Sequence, residues 1–131
     1  MYKFRKEERL CSKKLLDELF RNGSSFLVYP FRIVHLSVNL SEFKPASQVV
    51  IAVSKKRFKK AVDRNLIKRR IREVYRLNKD ELLYSALQKN NLHITFALHF
   101  VGKELADYKF IEKKLKLALV QLAKAYDQKD N

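Results

Sequence analysis

Residues Lys59–Arg76 read KKAVDRNLIKRRIREVYR, with no glycine or proline among them. At about 100° of turn per residue, Ile67, Ile71, Val74 and Tyr75 gather on one side of a helix. Arg64, Lys68, Arg72 and Arg76 step along a row at helical spacing, with Asn65 and Arg69 beside it. Arg70 and Asp63 point elsewhere. The spacing predicts a helix over 61–78 whose apolar side rests on a sheet and whose flank is a cationic ribbon. The row has almost no acids four residues away to relieve its like-charge repulsion. Arginine dominates it, and the planar guanidinium suits phosphate.

Working outward, the charge proves to be focused. Between Lys55 and Lys79 stand twelve basic residues against Asp63 and Glu73, a net +10 of the whole chain's +15. Self-repulsion at that level destabilises a compact chain, and a polyanion relieves it. At 131 residues with 47% hydrophobic residues, the chain suits one folded domain with a real core. No window approaches 18 uncharged apolar residues, and MYKFRKEERL has no apolar signal core, so a cytoplasmic location and no membrane partner are expected. Cys11 is the single cysteine, which excludes an internal disulfide and a cysteine-cluster zinc site; a buried or half-buried thiol is expected.

Upstream, Ser12 caps a predicted helix to Asn22, with Leu15, Leu16, Leu19 and Phe20 as its stripe and Gly23 as a left-handed stop. Ser24–Phe26 starts a short extended segment. PFRIVHLSVNL, from Pro30, reads as a strand. Ser41–Ser47, with Pro45, reads as a turn. Gln48–Ser54, almost wholly apolar, reads as a central strand. Downstream, Asp80 caps a further short helix with Leu82, Leu83, Ala86 and Leu87 inward, broken at Asn90-Asn91. LHITFALHFVG alternates at Leu92, Ile94, Phe96, Leu98 and Phe100, a strand ended by Gly102. A last helix starts near Asp107, with Ile111, Leu115, Ala118, Leu122 and Tyr126 on one stripe, and the tail from Asp127 frays. The order is helix, strand, strand, strand, helix, strand, helix: an α+β, two-layer α-β sandwich.

The chain shows no catalytic residues of its own. His35, His93 and His99 are isolated and read as sheet-face histidines. There is no glycine-rich phosphate loop, nucleophile elbow or acidic metal cluster. Glu7, Glu8, Asp17 and Glu18 read as solvated helix charges. No metal or cofactor bound by the protein is expected. A major-groove DNA reader would need a helix-turn-helix partner, which the strand-rich pattern opposes, so DNA is not an expected partner.

VSKK at Val53–Lys56 followed by AVDRNLIKRRIRE at Ala61–Glu73 resembles the signature of the bacterial ribonuclease P protein subunit. Arg64-Asn65, Lys68-Arg69 and Arg72 fill its basic positions. ERLCSKKLLDELFRNG, with Arg9, Leu10, Phe20 and Gly23, resembles the family's opening helix. The resemblance covers nearly the whole chain, as one domain over 1–131 with an N-terminal arm of about ten residues and a frayed tail from about 127. It implies a left-handed βαβ crossover, against the usual right-handed rule.

The resemblance further implies the protein part of an endoribonuclease. That enzyme removes the 5′ leader of precursor transfer RNA, with catalysis by its RNA subunit and the magnesium that RNA binds. The expected partners are the catalytic RNA and precursor transfer RNA. Candidate RNA-binding residues are Lys55, Lys56, Lys60, Arg64, Asn65, Lys68, Arg69, Arg72 and Arg76. A cleft between the sheet and the first helix would hold the single-stranded leader, with Phe20 first, then Phe31 and Arg32, and with Lys68 and Arg72 lining the same groove. A structural RNA-binding protein, such as a ribosomal component, is the alternative. Three departures from the family stand out. The connection Arg57–Lys60 lacks glycine, Leu16 replaces a common aromatic, and Asp80–Asn91 is longer than a minimal member needs.

Overall fold

The computed structural model describes residues 4–38 and 46–127. Its elements are α1 (Lys13–Asn22), β1 (Ser24–Val28), β2 (Phe31–Ser37), β3 (Ser47–Val53), α2 (Ala61–Lys79), α3 (Ser85–Lys89), β4 (Ile94–Phe100) and α4 (Tyr108–Ala125), with a short 3-10 turn at Lys6–Glu8. The four-stranded sheet runs β1-β2-β4-β3. β1 and β2 are antiparallel, as are β2 and β4, while β3 lies parallel to β4. The α+β sandwich is therefore as expected, and the β3–β4 crossover runs through α2 and α3.

Strand alternation divides the sheet into two unequal faces. Phe31 and Ile33 of β2, Val49 and Val53 of β3, and Ile94, Phe96, Leu98 and Phe100 of β4 meet Ile67, Ile71, Val74 and Tyr75 of α2 and Ile111, Leu115, Ala118 and Leu122 of α4. Complete burial of Ile67 and Ile71 contributes about 1.5–3 kcal/mol each. The opposite face is covered lightly. Leu10, Leu19 and Ala97 form a small cluster with Leu15, Leu16, Val34, Leu36 and Val50.

Several local expectations change. Gln48–Ser54 was expected to be central; β3 is instead an edge strand, and the central partner of β2 and β3 is β4. Its apolar run reflects cover from three sides, because the N-terminal arm lies along its outer edge. There the Leu10 N–H donates to the Val49 carbonyl at 2.8 Å. Asp80 caps nothing: its backbone is right-handed helical, and the chain passes from α2 through a π-type turn at Asp80–Tyr84 into α3. Leu83 and Leu87 are buried as expected. Asn91, at φ 54°, makes the break.

Gly23 is extended at φ −75°, not left-handed. Space demands it, since an added Cβ would stand 2.5 Å from the Leu19 carbonyl oxygen and 2.9 Å from that of His35. Cys11 is exposed, contrary to the expectation of burial. The turn expected at Ser41–Ser47 lies largely outside the described residues, and so does most of the tail.

Candidate nucleic-acid interface

The ribbon on α2 exists, and the structure sorts its members. Lys68, Arg69, Arg72 and Asn65 present side chains with no hydrogen bond or ion pair among the described residues; Lys68 is half-buried and the other three are exposed. Lys55, Lys56 and Lys60 are exposed in the connection before α2. Arg64 is committed to the fold as well. Its Nη1 donates to the carbonyls of Phe58 at 2.8 Å and Lys59 at 2.9 Å. Arg76 is held by Glu73, with Nη2 to Oε2 at 2.7 Å. Arg70 donates to the Ala106 carbonyl and so lies off the ribbon, as its wheel position requires.

The glycine-free connection at 57–60 is pinned at both ends. Phe58 is buried against Phe100, ring centroids 6.0 Å apart. The Phe58 N–H donates to the Ser54 carbonyl, and Arg57 Nη1 donates to the Val101 carbonyl at 2.8 Å. A buried phenylalanine and the carbonyl contacts of Arg57 and Arg64 thus hold the connection in place.

A groove of about 680 Å³ opens on the lightly covered face, between α1 and the sheet. Its floor is Val34, Val50, Ala52 and Ala97, and Leu16 and Phe20 form the α1 wall. The small side chains at 52 and 97 are what leave it open. Phe20 is 61% exposed at the rim, which suits a stacking platform rather than a core residue. Arg32 and His99, opposite each other on β2 and β4, give the groove a polar end. Burial first, then the charges of Arg32 and Arg57, lower the His99 pKa, so its ring is neutral near pH 7.

Phe31, proposed for this cleft, is wholly buried on the other face, edge-on to Phe100 at 5.8 Å. Neighbouring strand residues face opposite ways, so Phe31 and Arg32 cannot share a groove. Lys68 and Arg72 are not among its lining residues. Leu16 lines it on the α1 side.

One cluster escaped the sequence reading. Glu8, expected in solvent, is buried, and its Oε1 accepts from Lys79 Nζ and, at 2.6 Å, from the Tyr84 hydroxyl. Its Oε2 accepts from the Arg5 N–H at 2.8 Å. Ser47 Oγ and the Tyr75 hydroxyl lie 3.1 Å apart in the same buried layer. Desolvation raises the Glu8 pKa, but the hydrogen bonds from Lys79, Tyr84 and Arg5 outweigh it, and the net direction is down. Burial, chiefly, pushes the Tyr84 phenol far up, so it stays a donor. Among the described residues, no three His, Cys, Asp or Glu side chains are grouped to hold a metal ion.

A half-covered mixed sheet, an apolar groove with an exposed aromatic at its rim and a cationic helix flank together mark a class: small α+β proteins whose surface suits a polyanionic chain. The family model for ribonuclease P matches residues 4–123. The chain is 40% identical over 119 residues to the ribonuclease P protein component of Porphyromonas gingivalis, covering 90% of this chain and 85% of that one. Among solved structures, the RNase P protein from Thermotoga maritima superposes with a TM-score of 0.68 at 24% identity, covering 87% of this chain and 96% of that one. That of Staphylococcus aureus gives 0.67 at 21%, covering 91% and 97%. The chain belongs to the ribonuclease P protein family: it is the protein component of ribonuclease P, an endoribonuclease and ribonucleoprotein of transfer RNA processing.

Proposed function

We propose that this chain binds the catalytic RNA of ribonuclease P through the α2 ribbon and holds the 5′ leader of precursor transfer RNA in the groove under α1. The observation that carries the reading is the exposed Phe20 standing over an apolar channel that ends in Arg32. Single-stranded RNA needs this pairing of stacking platform and cation, and each stacked base contributes roughly 1–3 kcal/mol. Lys68, Arg69 and Arg72, with Asn65 among them, meet folded RNA by its phosphates and 2′-hydroxyls. Lys55, Lys56 and Lys60 extend that contact along the connection. Arg64 and Arg76 contribute charge from positions fixed by their own bonds.

We assign the cutting step to the RNA and the magnesium it binds. The protein's groups bind, orient and neutralise. Reconstitution of the chain with a catalytic ribonuclease P RNA at low magnesium tests this. Cleavage of a leader-bearing precursor should rise on adding the protein. Folded protein in excess without that rise would defeat the assignment, and cleavage by the protein without RNA would defeat the division of labour.

A further inference from the structure

The wall of the groove is a helix with little to hold it. Of the ten residues of α1, only Leu19 is fully buried. Its C-terminal end is fixed by the close approach of Gly23 to the carbonyls of Leu19 and His35. Its N-terminal end has Ser12 as a local cap, which ties the helix only to itself. Leu15 and Leu16 are only partly buried on the sheet cluster, and the arm before the helix adds the remaining attachment of that end.

The arm is fastened by a series of contacts. Phe4 packs edge-on to Tyr75, with centroids 5.4 Å apart, and the Arg9 guanidinium lies over Phe4. Gln48 Nε2 donates to the Glu7 carbonyl at 3.0 Å, Arg9 bridges to Val49, and Leu10 is buried. At the centre, Glu8 meets Lys79 from the last turn of α2 and Tyr84 from the π-type turn. A buried carboxylate and ammonium are stable only while both remain.

We infer that Glu8, Lys79 and Tyr84 form a positioning lock, which sets where α1 stands over the sheet by tying its leading arm to the helix that carries the cationic ribbon. These residues touch no part of the groove themselves. They act through Leu10 and α1 on Leu16 and Phe20, and so on the width of the channel. The arm is thereby referenced to α2, so both RNA contacts share one rigid helix. The inference rests on the proposed leader site for its functional consequence, but its structural half stands apart.

The chain's single cysteine allows the test. Cys11 is exposed and sits between the arm and α1. A nitroxide on Cys11 should give an immobilised spectrum in the parent chain and a mobile one in Glu8→Gln and Tyr84→Phe, at a temperature where circular dichroism shows both folded. Tyr84→Phe removes one donor and leaves the ion pair, so it stays interpretable if Glu8→Gln melts. In holoenzyme reconstituted with the catalytic RNA, KM for a precursor with a long leader should rise about tenfold, the loss of one weak stacking contact. Affinity for the catalytic RNA and KM for a single-nucleotide leader should stay within about twofold.

An immobile label in both variants would overturn the lock. Equal losses on long and short leaders would overturn its role in positioning and leave a mere stability effect. A parent holoenzyme with no leader-dependent gain would sink the functional reading instead, while the label still judges the lock.

Discussion

Removing Lys68, Arg69 and Arg72 together should separate RNA binding from folding. None of the three side chains has a partner among the described residues, so Lys68→Ala, Arg69→Ala and Arg72→Ala take away charge without breaking a bond. Substitutions at the exposed Arg69 and Arg72 fall within about 0.5 kcal/mol of neutral, the half-buried Lys68 adds the loss of some stem packing, and relief of like charge on one ribbon offsets part of both. The effect on binding is a matter of counterions. Each phosphate contact contributes about 0.7–0.9 to the slope of log K against log salt, so three contacts carry roughly 2–3 units. Between 50 and 200 mM salt that difference in slope changes the affinity ratio of parent to variant by roughly 20- to 40-fold. Equilibrium binding to the catalytic RNA at four or five salt concentrations, with thermal melts alongside, measures both. A variant that keeps the parent slope would refute the ribbon as the contact face. Arg64→Ala supplies the contrast, because it strips donors from the Phe58 and Lys59 carbonyls. It should cost about 1–2 kcal/mol of stability as well as RNA affinity.

The two phenylalanines should part company: Phe31→Ala costs about 3–5 kcal/mol in denaturant unfolding, whereas Phe20→Ala leaves stability nearly unchanged and weakens leader binding by about 1–3 kcal/mol. Gly23→Ala should destabilise by about 1–3 kcal/mol, since its Cβ would meet backbone rather than a movable side chain; an unchanged melting temperature would show that α1 is free to shift. Burial lowers the pKa of His35, hydrogen-bonded to Tyr126 at 2.7 Å. The unfolded chain therefore binds more protons, and stability should fall as pH drops through the ordinary histidine value of 6.5, a slope that His35→Gln removes. Glu8 has the carboxylate sign: its stabilisation is present above 4.5 and is lost as pH falls through its lower folded value, which an acid titration of Glu8→Gln against the parent would reveal.

What was legible in the chain followed from periodicity. The apolar row Ile67, Ile71, Val74 and Tyr75 is wholly buried, and α4 begins one residue after Asp107, whose carboxylate accepts from the Phe110 N–H. Both signals are local, and local spacing is enough to read them. The errors came where a neighbour distant in sequence decides the environment. β3 looked central because it is apolar, yet its cover comes from an arm some forty residues earlier. Glu8 looked solvated because its partners, Lys79 and Tyr84, lie more than seventy residues away.

The misplacement of Phe31 differs in kind, because the signal was present. Phe31 shares its parity with Ile33 and Arg32 shares its own with Val34, so choosing Arg32 for the groove already excluded Phe31. Parity also explains why the groove exists at all. On its side of the sheet the strands place Ala52 and Ala97, with Arg32 and His99 at one end, while the opposite side carries Phe31, Phe96 and Phe100. One face is filled to make a core. The other is left shallow, and a helix with a single buried residue is laid across it. A channel built that way owes its shape less to its own packing than to whatever fixes the helix at either end. Gly23 does so at one end, and the arm that carries Glu8 does so at the other.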